Sequence, residues 1–180
     1  MIIWVTLEQD IKGWLEDLGD KSVGDTASHF ATSYANAISN ATDPYFNAII
    51  PPGKEGNIES AWNAAFAQME NSDSPPTPAT WSQVDAATIA FFAGAQFQFA
   101  TPHPPNTIPT GPNIITFPGA PGPLAAALND ALTSEDPGQV ASKMVKGFQD
   151  HLKVVQGLYT GAITTPGGPV PTPVPWVGVS

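Results

Sequence analysis

Apolar positions along the chain fall into helical stripes, separated by stretches rich in proline and glycine. Leu7, Ile11, Trp14, Leu15 and Leu18 recur at i, i+4, i+7, i+8 and i+11, which is one face of a helix. Thr6 with Gln9 fits a capping box. The helix is therefore placed near 6–18, with Met1–Val5 as a short strand or anchoring segment. Phe30, Ala31, Tyr34, Ala35 and Ile38 mark a second helix near 25–43, ended by Asp43-Pro44, because proline has no amide hydrogen and clashes with the preceding turn. Ile58, Trp62, Ala65, Phe66 and Met69 mark a third near 58–70, capped by Asn57. Thr80 with Gln83 opens a fourth, 81–99, whose aromatic residues Phe91, Phe92, Phe97 and Phe99 fall on more than one face. A short helix at 123–133 and a long one at 137–159 follow. The long one starts at Asp136-Pro137-Gly138-Gln139, which supplies an N-cap, a first-turn proline and a third-position glutamine.

The spacers complete the plan. Residues 71–80 read as a linker. Residues 101–123 hold eight prolines and three glycines, a density that predicts an extended, partly polyproline II arm. A brief strand is expected at 113–117. The pattern predicts a mainly α protein: a small helical bundle with long extended Pro/Gly arms and less than a tenth strand. Its parts are an N-terminal helical part (1–70), the linker (71–80), an apolar helix (81–100), a Pro-rich arm (101–122), a C-terminal helical part (123–162) and an extended C-terminal arm (163–180). The expected core includes Leu15, Phe30, Tyr34, Ile38, Trp62, Phe66, Phe92, Phe148 and Leu152.

An internal duplication is also legible. At an offset of 114, Gly24, Ala27, Ser28, Tyr45, Ala48, Ile49, Pro52 and Gly53 meet identical residues from Gly138 to Gly167. The stripe Phe30, Ala31, Tyr34, Ile38 meets Met144, Val145, Phe148, Leu152. A second echo pairs Ile58–Phe66 with Leu124–Leu132. Repetition of a packing unit belongs to a scaffold. The spacing makes the two long helices candidates to pack together, with Ala31 and Ala35 permitting close approach.

Composition narrows the chemistry. Among 180 residues there are 16 acidic side chains, six lysines, no arginine and no cysteine, for a net charge of -10. Cysteine-based metal sites, disulfides and thiolate nucleophiles are excluded. The charge argues against phosphate-backbone binding, so no nucleic-acid partner is expected. No apolar run reaches membrane-spanning length, so no membrane partner is expected either. His29, His103 and His151 show no metal spacing, and no nucleotide loop or nucleophile elbow occurs. No catalytic, cofactor or metal residue is assigned, and the chain is read as a non-enzyme without cofactors.

What remains is contact chemistry. Trp14, Trp62 and Trp81 belong to helices, whereas Trp4 and Trp176 near the ends have no evident core role. Terminal aromatics on extended arms serve as anchors into neighbouring subunits. The expected partner-binding residues are Trp176, Val174, Val177, Pro166, Trp4 and Phe117. Residues 168–180 are uncharged and are expected to dock in an apolar groove or on a sheet edge of another subunit.

Tyr45-Phe-Asn-Ala-Ile-Ile-Pro-Pro-Gly53 and Tyr159-Thr-Gly-Ala-Ile-Thr-Thr-Pro-Gly167, each following an alanine-containing helix, resemble small virion proteins of tailed bacteriophages. The resemblance covers 24–53 and 138–180. It implies a structural part of the neck, tail or baseplate, assembled in the host cytoplasm into the virion. It implies partners that are copies of the chain and neighbouring virion proteins. The alternative is a monomeric module that binds a glycan or an extended peptide through exposed tryptophans.

Overall fold

The computed structural model describes residues 2–41, 49–50, 55–93, 95–97, 107–109 and 114–175. Among these lie six helices: α1 (Ile2–Glu16), α2 (Val23–Ser39), α3 (Glu55–Glu70), α4 (Ser82–Phe92), α5 (Pro123–Leu132) and α6 (Pro137–Val154). Six strands accompany them: β1 (Ile49–Ile50), β2 (Gln96–Phe97), β3 (Thr107–Pro109), β4 (Ile114–Phe117), β5 (Gln156–Thr165) and β6 (Gly168–Pro175). The protein is mainly α, a small helical bundle.

The helices form a closed ring. Each packs on its neighbour in sequence, and α6 returns to pack on α1. Alternate members meet at the centre. Tyr34 of α2 has its ring 4.5 Å from Phe148 of α6 and 5.9 Å from Phe91 of α4. The helices α2 and α6 thus meet through large side chains across the ring. Ala31 and Ala35 do not bring them side by side; α2 lies beside α1 and α3. Phe30, Tyr34, Ile38, Trp62, Phe92, Phe148 and Leu152 are buried, and Leu15 and Phe66 pack against them partly exposed.

The chain order repeats three times. A helix pair leads into a strand as α1-α2-β1, α3-α4-β2 and α5-α6-β5. Both sequence echoes respect this order: the offset of 114 joins second members, α2 and α6, and Ile58–Phe66 with Leu124–Leu132 joins first members, α3 and α5. The offset also carries cap onto cap. Ser22 accepts the Asp25 amide at the start of α2, and Asp136 accepts the Gln139 amide at the start of α6. Pro166-Gly167 forms a turn, while Pro52-Gly53 lies outside the described residues.

Several boundaries differ from expectation for identifiable reasons. The helix α1 begins at Ile2, because Trp4 extends the stripe of Leu7 and Ile11 at i, i+3, i+7; Thr6 is therefore internal. Similarly, α3 begins at Glu55 and encloses Asn57. At α4 the N-cap is Trp81, with no side-chain cap; the Thr80 hydroxyl instead accepts from the Thr77 amide. This helix stops at Phe92, since Gln96-Phe97-Gln98-Phe99 alternates with period two and Gln96–Phe97 is a strand. The helix α6 likewise stops short, at Val154, and β5 begins at Gln156.

The sheet is the largest departure. The strands β5 and β6 alone hold 10 and 8 residues, already a tenth of the chain. All ladders are antiparallel: β1-β2-β4-β5 in order, with β3 following β4 along the same edge of β5 and β6 along the other. Proline density argued against strands here, yet the register accommodates it. In an antiparallel ladder alternate residues bond to the partner and the others point outward. Pro169, Pro171, Pro173 and Pro175 oppose Thr164, Ala162, Thr160 and Leu158, so all four fall at outward positions, where no amide hydrogen is needed. Pro109 opposes Gly161 on the other edge, where the odd-numbered residues of β5 bond away toward β6, so it too falls at an outward position. The outer edge of β6 therefore offers carbonyl acceptors at these positions and no donors. Such an edge cannot template another strand.

Candidate interaction surface

The C-terminal stretch was expected to be an arm on another subunit. Gly168–Pro175 instead folds back on β5 of its own chain, since alternating prolines suit an edge strand and β5 offers an open edge. Val174 opposes Tyr159 in that ladder, and Pro166 sits exposed in the turn between the two strands. Trp176 and Val177 lie outside the described residues. Phe117 ends β4 opposite Gln156 and is 39% exposed. Val154, two residues before Gln156, is 44% exposed. Two large apolar side chains therefore lie open to solvent close to where α6 enters the sheet. Trp4 is the one clear correction among the expected contact residues. It is 6% exposed, inside the core, because the helix that was expected to start at residue 6 already includes it.

Sequence reasoning missed one constellation. Ser33 and His29 are one turn apart on α2 and both face Asp10 of α1. The Ser33 hydroxyl donates to Asp10 Oδ2 at 2.5 Å, and His29 Nε2 lies 3.1 Å from the same oxygen. Ser33 Oγ and His29 Nε2 are 3.4 Å apart. The residue types match a nucleophilic triad, but the connections do not. In such a triad the imidazole faces serine with one nitrogen and the carboxylate with the other. Here a single nitrogen faces both, and the serine proton goes to aspartate, so the imidazole does not activate the hydroxyl. The His29 ring stacks on Trp14 at 4.0 Å and 10°. Lys21 Nζ sits 4.3 Å over the same indole, whose Nε1 donates to Thr26 Oγ1. This assembly ties α1 to α2 beside a groove of about 390 Å³ lined by Thr6, Asp10, Ser33 and Asn36. The i, i+4 spacing of His29 and Ser33 was visible in the sequence. The arrival of Asp10 required knowing how α1 lies on α2.

Charge separates the helical bundle from the sheet. The 6 basic and 16 acidic residues all lie outside the six strands. From Ala86 to Asn129, and again from Val154 to Ser180, no Asp, Glu, Lys or Arg occurs. The bundle is acidic, and the sheet carries no ionic group. Among the described residues no group of three or more His, Asp or Glu is placed to hold a metal, and no helix is long and apolar enough to cross a membrane. Comparison with protein-family models, curated proteins and solved structures returns no match for this chain.

Proposed function

We propose that this chain is a non-enzymatic structural and assembly protein of a tailed-phage particle, a component of its neck, tail or baseplate. It acts through contacts with copies of itself and with neighbouring virion proteins. The observation that carries the reading is the uncharged sheet on an acidic bundle. Soluble proteins commonly guard sheet edges with lysine and other charges, and the buried centre of a protein interface is where charge is depleted. This sheet lacks charge throughout and guards β6 with prolines instead. That combination suits a surface meant to be covered without uncontrolled strand addition. The phage context comes from the resemblance of 24–53 and 138–180. The alternative glycan- or peptide-binding module relied on exposed tryptophans, and Trp4, Trp62 and Trp81 are buried.

Truncation after Gly168 removes all of β6 but its first residue, and everything beyond it. The expected result is reduced incorporation into particles with unchanged helical circular dichroism. Normal incorporation of the truncated protein overturns the proposal.

A further inference from the structure

Two buried titratable side chains sit where the bundle meets the sheet. Asp85 of α4 is 1% exposed and His151 of α6 is 4% exposed. Asp85 Oδ2 accepts the Gly122 amide at 2.5 Å, which places its carboxyl at the start of α5. Its Oδ1 has no hydrogen-bond partner among the described residues, and neither ring nitrogen of His151 has one. The imidazole is pressed against the turn that joins β4 to α5. Gly119 has φ +122, and a Cβ there would stand 2.3 Å from His151 Nε2. The ring also lies 5.8 Å from that of Phe92 and contributes to an open groove of about 380 Å³ between α5 and α6.

We propose that Asp85 and His151 form a buried, protonation-sensitive latch: neutral His151 seats the 118–122 turn on the end of α6, and its protonation releases that turn and the adjoining strands from the bundle. Buried polar groups without partners are rare in folded proteins, and here several gather at one junction. Protonation gives both ring nitrogens a hydrogen to donate. Against Gly119, Nε2 has no acceptor. The open acceptor is Asp85 Oδ1, so the charged ring must turn toward it or toward water in the groove, and either movement undoes the seat on Gly119. The remaining charges near the ring are Asp130 of α5 and Lys143, Lys146 and Asp150 of α6, all lining the same groove. They pair with one another, Lys143 with Asp130 at 3.2 Å and Lys146 with Asp150. The 118–122 turn has no charged residue.

The direction of the response follows. Burial holds the imidazole below its ordinary range, with the Asp85 charge opposing. The unfolded chain takes up the proton near pH 6.5 and the folded chain does not. Stability at this junction is therefore full above about pH 6.5 and falls as the solution is acidified.

Hydrogen exchange on the full chain from pH 7.5 to 5, corrected for intrinsic rates, tests this. Protection in 114–122 and 155–165 should fall about tenfold or more below pH 6, with α2 and α3 unchanged as internal reference. His151→Phe should abolish that selective loss. Asp85→Asn, which keeps an acceptor for Gly122 but removes the charge that favours the imidazolium in the seated state, should deepen the loss below pH 6 without moving its onset, which the released imidazole sets at about pH 6.5. If His151→Phe does not fold, the wild-type exchange pattern together with the His151 NMR titration decides. Uniform loss across all helices, selective loss that persists in His151→Phe, or a His151 midpoint at or above 6.5 each overturns the latch.

Discussion

Tyr34→Phe removes one oxygen from the centre of the helix ring and leaves every carbon contact in place. Tyr34 is 1% exposed, and its ring packs on Phe91 and Phe148. Its hydroxyl has no hydrogen-bond partner among the described residues. Burial pushes the phenol far above its ordinary range, so the group is neutral at any working pH and its burden is desolvation alone. An unsatisfied buried hydroxyl costs about 1–3 kcal/mol. Removing it should stabilise the fold by about 1 kcal/mol, taking the lower end because the denatured chain is already partly compact. For a domain of this size that raises Tm by about 2–4 °C. Tyr34→Ala, in contrast, empties the meeting point of α2, α4 and α6 and should cost about 3–5 kcal/mol. Urea denaturation followed by circular dichroism measures both. A loss of 1 kcal/mol or more in Tyr34→Phe would show that the hydroxyl is satisfied, for instance by an enclosed water, and would refute the reasoning.

Three further outcomes follow from the same geometry. Gly119→Ala combines a left-handed φ with a collision against His151, and should destabilise by more than about 2 kcal/mol, whereas Gly122→Ala, with φ +108 but open space around it, should cost only the backbone strain of about 1–2 kcal/mol; thermal melts of the two compare them directly. Asp136→Ala removes the cap of α6 and should cost about 1 kcal/mol in denaturant titration, while a neutral effect would mean that Pro137 alone fixes the helix start. In Pro171→Thr the new amide should exchange at the rate of free peptide while those of Val170 and Thr172 stay protected; protection at 171 would mean that β6 pairs with the opposite parity.

The elements that were legible in the sequence are those whose signal is local. Asp136-Pro137-Gly138-Gln139 announced the start of α6 to the residue, though not its end, and the 114-residue offset matched α2 to α6 before their caps could be compared. Periodicity misled where two periods overlap. Trp4 continues a stripe that starts before the supposed cap, and Phe97 continues an aromatic run that had changed from helical to alternating spacing. The strand β6 was hidden because proline is counted as a strand breaker, whereas only its position relative to the ladder matters. The two buried or clustered polar groups were out of reach for a different reason. Asp10 meets His29 and Ser33, and Asp85 lies near His151, only through helix packing, and no spacing in the chain encodes those meetings.

The central claim is that the uncharged sheet is a surface for assembly. Multi-angle light scattering of the purified chain at increasing concentration, beside Thr172→Lys, tests it most directly. The account predicts masses at multiples of 18.8 kDa that grow with concentration and collapse toward the monomer when a charge is placed in β6. A sharp monomer at every concentration, or oligomers indifferent to that lysine, would contradict it.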